Sequence, residues 1–139
     1  MHKVLCLDVG TKRIGVAVSD FLHITVTGLC CVNRVPEHEV LSELKGIIAD
    51  NKIGKIIIGL PKNMDGSEGV QANDCRNFAK VLQEGIKNIP IEFEDERLTS
   101  DLAEENLRER KIDFRKNKGL VDIESACIIL EQYLARQNS

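Results

Sequence analysis

The chain has 139 residues, 42% of them hydrophobic and 29% charged, and a net charge of −3. This length suits one compact domain over residues 1–139, large enough to build a core without covalent staples, and the composition excludes a disordered chain. The acidic balance excludes nucleic-acid binding by bulk charge, so any such contact requires a local basic patch.

Residues 4–7 form a short apolar run that predicts a strand buried on both faces, ended by Asp8 and broken by Gly10. In the next strand Ile14, Val16 and Val18 share one face, and Gly15, Ala17 and Ser19 share the other, where small residues admit a close neighbour. The short connection makes the pair an antiparallel hairpin, and residues 24–32 give a third β-rich stretch. Val40, Leu41, Leu44, Ile47 and Ile48 follow helical spacing and predict a helix over residues 37–50. Residues 56–59 read as a buried strand stopped by Pro61, followed by a polar loop over residues 60–70. Ala72, Cys75, Phe78, Ala79 and Leu82 mark a second helix, and residues 89–94 a fifth strand. Thr99 or Ser100 can cap a third helix with Asp101 in its first turn. A basic loop over residues 112–119 leads to a last helix marked by Ile123, Ala126, Cys127, Leu130 and Leu134. The order βββ-α-β-α-β-α-α predicts an α/β fold, a five-stranded mixed sheet with helices on both faces. Ligand sites on such sheets lie beyond the carboxyl ends of the parallel strands.

Cys6, Cys30, Cys31, Cys75 and Cys127 are odd in number and contain no CxxC pair. They argue against zinc and against a disulfide framework, and read as small core residues. No apolar run approaches the roughly 18–20 residues of a membrane span. Met1-His2-Lys3 leads straight into a strand-like segment, so no signal peptide is expected and the expected compartment is the cytoplasm.

Three acidic stations stand at element ends. Asp8 closes the first strand and serves either as a turn residue bonding Gly10 or Thr11 or as a reactive carboxylate. Asp95-Glu96-Arg97 follows the fifth strand, where two carboxylates and an arginine suit a divalent cation beside a phosphate, or else an exposed ion-paired strand end. Asp95 shares parity with Ile91 and Phe93 whereas Glu96 reaches further, so both are carried. Asp122 opens the last helix, as an N-cap or, from its alignment with Ala126, Ile129 and Tyr133, as an inward-facing acid; Glu124 lies roughly 200° around the wheel. Together these oxygens suit Mg²⁺ or Mn²⁺ and metal-assisted phosphodiester hydrolysis. His2, His23 and His38 lack metal-ligand spacing and read as surface residues.

The loop after the fourth strand has glycines for close backbone approach but no Walker lysine. Between Arg108 and Lys118, six basic residues stand against two acidic ones. Such a run is often a solvated face, but beside carboxylates it suits a phosphate backbone. The few aromatic residues argue against base stacking as the main mode of recognition.

Four segments resemble one known family. Leu7-Asp8-Val9-Gly10-Thr11-Lys12-Arg13-Ile14-Gly15 to Asp20 resembles its opening signature, and Gly59-Leu60-Pro61 with Asn63-Met64-Asp65-Gly66-Ser67-Glu68-Gly69 its central loop. Asp95-Glu96-Arg97-Leu98-Thr99-Ser100 resembles its third motif, and Asp122 with Ala126, Ile129-Leu130, Gln132 and Tyr133-Leu134 its C-terminal helix. The family is the YqgF (RuvX) group, Holliday-junction-resolvase-like proteins associated with nucleolytic maturation of pre-16S rRNA. The resemblance implies an RNase H-like fold and a role in ribosome biogenesis, trimming the 5′ end of the 16S rRNA precursor. It implies Asp8, an acid of the Asp95-Glu96 pair and Asp122 as catalytic metal ligands for Mg²⁺ or Mn²⁺. The expected backbone contacts are Lys12, Arg13, Lys62, Asn63, Arg97, Arg115, Lys116 and Lys118. Pre-16S rRNA is the expected partner, with the small ribosomal subunit as a further one; monomer and homodimer stay open. The alternative is a resolvase acting on branched DNA, which would need a dimer for symmetric cleavage. Asp8-Val9-Gly10-Thr11 also resembles the first phosphate loop of the actin and sugar-kinase superfamily, whose members use two such domains.

Overall fold

The computed structural model describes residues 1–96 and 99–139, with the backbone alone for Thr99 and Ser100. The elements run β1 (Lys3–Val9), β2 (Arg13–Ser19), β3 (Val26–Asn33), α1 (Glu37–Asp50), β4 (Ile53–Pro61), α2 (Val70–Gly85), β5 (Ile91–Glu96), α3 (Thr99–Glu109) and α4 (Gly119–Gln137). This is the order the periodicities predict. The cap expected at Thr99 or Ser100 and the contact expected from Arg97 lie outside the described residues.

The strands form one mixed sheet in the order β3-β2-β1-β4-β5. β1 pairs antiparallel with β2, and β2 with β3; β1 pairs parallel with β4, and β4 with β5. Because side chains alternate along a strand, each strand feeds two cores. Leu5, Leu7, Val16, Val18, Ile56 and Ile58 pack against Val40 and Leu44 of α1 and Ala72, Cys75, Ala79 and Leu82 of α2. Val4, Cys6, Ala17 and Ile57 pack against Ala126, Ile129, Leu130, Tyr133 and Leu134 of α4 on the other face. α3 lies against α4. Helices therefore cover both faces, as expected.

Several strand boundaries differ from the sequence reading. β3 begins at Val26, not at residue 24. β4 runs through Pro61, because a proline at the last position forfeits no ladder bond the sheet requires. β5 starts at Ile91 after Pro90, which lacks an N–H but accepts a bond from Ile56 N–H at 3.0 Å. It then runs to Glu96, so Asp95 and Glu96 are in the strand and not beyond it. Among the cysteines, Cys6, Cys75 and Cys127 are buried, but Cys30 and Cys31 are only half-buried, on a strand at the sheet edge. Among the described residues no helix is long and apolar enough to cross a membrane.

Gly15 decides how closely α4 lies on the sheet. It pairs with Asp8 across the β1–β2 ladder, and a β-carbon built on it would overlap the backbone carbonyl of Asp122. The small face read from Gly15, Ala17 and Ser19 is thus the seat of α4. Its obstacle is backbone, which cannot rotate away, so Gly15→Ala is expected to destabilise the protein by about 3 kcal/mol, measured by urea unfolding. Unchanged stability would show that α4 can rise without loss.

Candidate active site

Parity places the acids. On β1, Val4 and Cys6 face α4, so Asp8, two residues on, faces it too. On β5, Ile91 and Phe93 pack on the α1–α2 side, which leaves Glu92, Glu94 and Glu96 for the α4 side. Glu94 is buried there and ion-paired with Arg136 of α4. Asp95 points the other way, is largely exposed, and meets Lys62 Nζ at 3.0 Å. The pair that the sequence left unresolved therefore divides, with Glu96 turning toward Asp8 and Asp95 outward.

Two strand positions separate β1 from β5, a gap of roughly 10 Å at ordinary strand spacing. Glu96 spans it because the intervening β4 residue is Gly59. A β-carbon there would sit 2.9 Å from Glu96 Oε2 and 2.6 Å from Ile129 Cδ1. Asp122 approaches from the other side. It is not an N-cap: α4 begins at Gly119 with Lys118 at its N-cap, and Asp122 lies within the first turn. Arg13 Nε donates to its Oδ2 at 2.7 Å, and the Cys31 thiol meets the same oxygen at 3.9 Å. Nor does Asp8 act as a turn residue toward Gly10, whose N–H donates instead to the Arg13 carbonyl at 2.8 Å.

These carboxylates are electrostatically uncomfortable. Burial, then the charges of Glu96 and Asp122, push the Asp8 carboxyl well above the usual carboxylate range. Burial raises Glu96 from 4.5 to about 7. Cys31 rises to about 11 through burial and the Asp122 charge, so it stays a neutral thiol. Three residues along α4 from Asp122, Ser125 is fully buried and its hydroxyl has no hydrogen-bond partner among the described residues. Carboxylates close enough to raise one another fit a hydrated hard cation, which prefers oxygen and keeps waters. Among the described residues no three His, Cys, Asp or Glu side chains are already closed around one point. Asp8 and Glu96 could hold such an ion as a pair, with Asp122 in reserve on Arg13.

The expected phosphate contacts separate into groups. Arg13, Arg115, Lys116 and Lys118 line one cleft with Cys31 and Asn33, next to Asp122. Lys12 is exposed on the β1–β2 turn. Lys62 is engaged by Asp95, and Asn63 Nδ2 donates to Ser67 Oγ at 2.9 Å, knitting the loop internally. Arg110, in the basic run, is bonded to Glu124 at 2.8 Å; Glu124 lies away from Asp122, as its wheel position predicts. Sequence reasoning missed Arg34. It reaches the Gly10 carbonyl and Asp74, each at 2.7 Å, and ties the end of β1 to α2. A lone arginine after a strand carries no pattern that would reveal this.

A mixed five-stranded sheet in the order β3-β2-β1-β4-β5 with a C-terminal helix across one face is an RNase H-like fold. The fold resembles that of T. thermophilus RuvC, solved in complex with Holliday junction substrate, with TM-score 0.59 and 13% identity over 99% of this chain and 96% of that one. It also resembles the Fowlpox virus resolvase, solved with its substrate Holliday junction DNA, with TM-score 0.61 and 10% identity over 99% of each chain. At the level of family, residues 2–136 match the one described as "RuvX: Holliday junction resolvase", and the chain belongs to it. A relative from Natranaerobius thermophilus is 40% identical over 97% of this chain and 95% of its own length. One from Halothermothrix orenii is 41% identical over 98% and 96%. Both are named "Putative pre-16S rRNA nuclease".

The raised carboxyls give a pH prediction with a fixed sign. An acid whose folded value exceeds its unfolded one favours folding when protonated, so that stability is present at low pH and is lost as pH rises through the folded value. The metal-free protein is expected to lose stability between about pH 4.5 and 7 on account of Glu96. Glu96→Gln should therefore raise the melting temperature in chelator at pH 8 and change it little at pH 4. An equal effect at both would show that Glu96 carries no such burden.

Proposed function

We propose that this chain is a divalent-metal-dependent nuclease that hydrolyses phosphodiester bonds in the 5′ precursor segment of 16S rRNA, in the cytoplasm and on the small ribosomal subunit. The reading is supported by the placing of Asp8 and Glu96 on the α4 face of the sheet, with Asp122 of α4 near enough for its charge, like that of Glu96, to raise the Asp8 carboxyl, beside a cleft lined by Arg13, Arg115, Lys116 and Lys118. The names of the relatives at about 40% identity support the RNA substrate.

Asp8 and Glu96 bind Mg²⁺ or Mn²⁺, and Asp122 completes the acidic set. An ion held there would supply Lewis acidity for activating water and offsetting charge on the scissile phosphate. Arg115, Lys116 and Lys118 position the backbone by charge, without reading sequence. Asp95 takes no part; its work is to hold Lys62 at the base of the loop.

The test is incubation of the purified protein with precursor 16S rRNA and, separately, with four-way DNA junctions. Chelator, Asp8→Asn and Glu96→Gln are each expected to lower RNA cleavage on the order of a thousandfold, or about 4 kcal/mol of transition-state stabilisation. Asp95→Asn should stay within a few-fold of the parent. Cleavage that survives both chelator and Asp8→Asn would overturn the metal mechanism, and cleavage of junctions but not RNA would move the assignment to a resolvase. Each of Lys116→Ala and Lys118→Ala should weaken RNA binding and reduce the dependence of log K on log salt by about 0.7, read by titration at several salt concentrations.

A further inference from the structure

Arg13 occupies an unusual position. Its Nε holds Asp122 Oδ2 at 2.7 Å, with the two side chains 30% and 22% exposed, while the residue also lines the basic cleft with Arg115, Lys116 and Lys118. One guanidinium thus stands between a carboxylate of the acidic set and a cleft whose charge suits phosphate. The two are interchangeable partners for arginine, because both offer paired oxygens to the planar fork. The existing bond is partly solvated, so it is weak enough to exchange. While it lasts, the engaged oxygen of Asp122 is not free for an ion.

We propose that Arg13 is a substrate-operated latch that withholds Asp122 from the ion until a nucleic-acid phosphate enters the cleft and takes over its guanidinium. The inference rests on the metal-nuclease reading above. The charges balance at each stage. With the latch closed, Asp8 and Glu96 offer two negative charges to a divalent ion, and Asp122 is neutralised by Arg13. With the latch open, the phosphate neutralises Arg13, and Asp122 joins Asp8 and Glu96 as a third oxygen donor. Full coordination is then reached only with substrate in place, and by linkage the ion strengthens nucleic-acid binding by the same factor that nucleic acid strengthens ion binding. Arg13 is here a positioning residue acting through Asp122.

The test is calorimetric titration of Mn²⁺ into the full chain, with and without a short phosphorothioate RNA oligonucleotide that resists hydrolysis. In the parent the oligonucleotide should tighten Mn²⁺ binding about tenfold. Arg13→Gln without oligonucleotide should bind Mn²⁺ about as tightly as the parent does with it, and adding oligonucleotide should change little. Charge loss alone would tighten Mn²⁺ binding yet leave the oligonucleotide's effect intact, and that result would overturn the latch. Arg13→Lys, which keeps the charge without the fork, should show an intermediate effect. Should Arg13→Gln fail to fold, Asp122→Asn provides the same test from the other partner, since it should abolish the enhancement by oligonucleotide. Enhancement that persists in Asp122→Asn overturns the proposal. Mn²⁺ binding that Asp8→Asn does not weaken overturns the metal site, and the latch with it.

Discussion

The arrangement depends on two places where the sheet has no side chain. Gly15 and Gly59 stand on the strands either side of β1, on the face Asp8 shares with α4. At Gly15 the missing β-carbon lets the Asp122 backbone settle onto β2. At Gly59 it lets the Glu96 carboxylate fold across β4. A side chain at either position would lift one acid out of reach of Asp8. Glycine weakens a strand interior by removing packing and adding backbone entropy. Here that loss is confined to two positions of an otherwise densely apolar sheet, where Leu5, Leu7, Ile56, Ile57 and Ile58 are fully buried.

Bringing backbone and carboxylates together creates an electrostatic problem that arginines from other elements contain. α4 is fastened at its first turn by Arg13 to Asp122 and near its end by Arg136 to Glu94, with an apolar stripe between. Arg110 joins it to the end of the basic run through Glu124. The net charge of −3 therefore hides a segregated surface. Acids are concentrated on the α4 face of the sheet edge, and Arg115, Lys116 and Lys118 stand at the adjoining cleft. On the function proposed above, a polyanion would meet the cleft first, and Asp122, paired with Arg13, would not repel it with its full charge.

Element order, both helical layers and the small face of β2 were legible in the sequence because they rest on periodicity, which is local. The division of Asp95 from Glu96 was legible only in part: parity joined Asp95 to Ile91 and Phe93 but did not say which of the two acids turns toward Asp8. Both residues stood beyond the expected strand, and the parallel pairing with β4, extended to Pro61 and Glu96, carries that parity to the end of β5 and fixes which face each takes. Asp122 was visible as an inward acid, but its Arg13 partner, 109 positions away in the chain, leaves no local trace. Cys31 followed the same rule. Apolar neighbours suggested a core residue, yet an edge strand half-exposes it and turns its thiol to Asp122.

Register in β5 therefore carries functional weight as well as stability. Adjacent acids on a strand face opposite ways, so a slip of one residue would exchange them. Asp95 would then point across the bare strand with a side chain one methylene shorter, and Glu96 would point outward beside Lys62. What prevents the slip lies upstream of both. Ile91 and Phe93 pack in one core, and Glu94, buried on the other face, is held by Arg136. A slip would put Phe93 where Glu94 belongs, turn the Glu94 carboxylate into the apolar core on the α1–α2 side, and leave Arg136 without its partner. Glu94 needs no contact with substrate to matter, because its ion pair keeps Glu96 on the face where Asp8 waits.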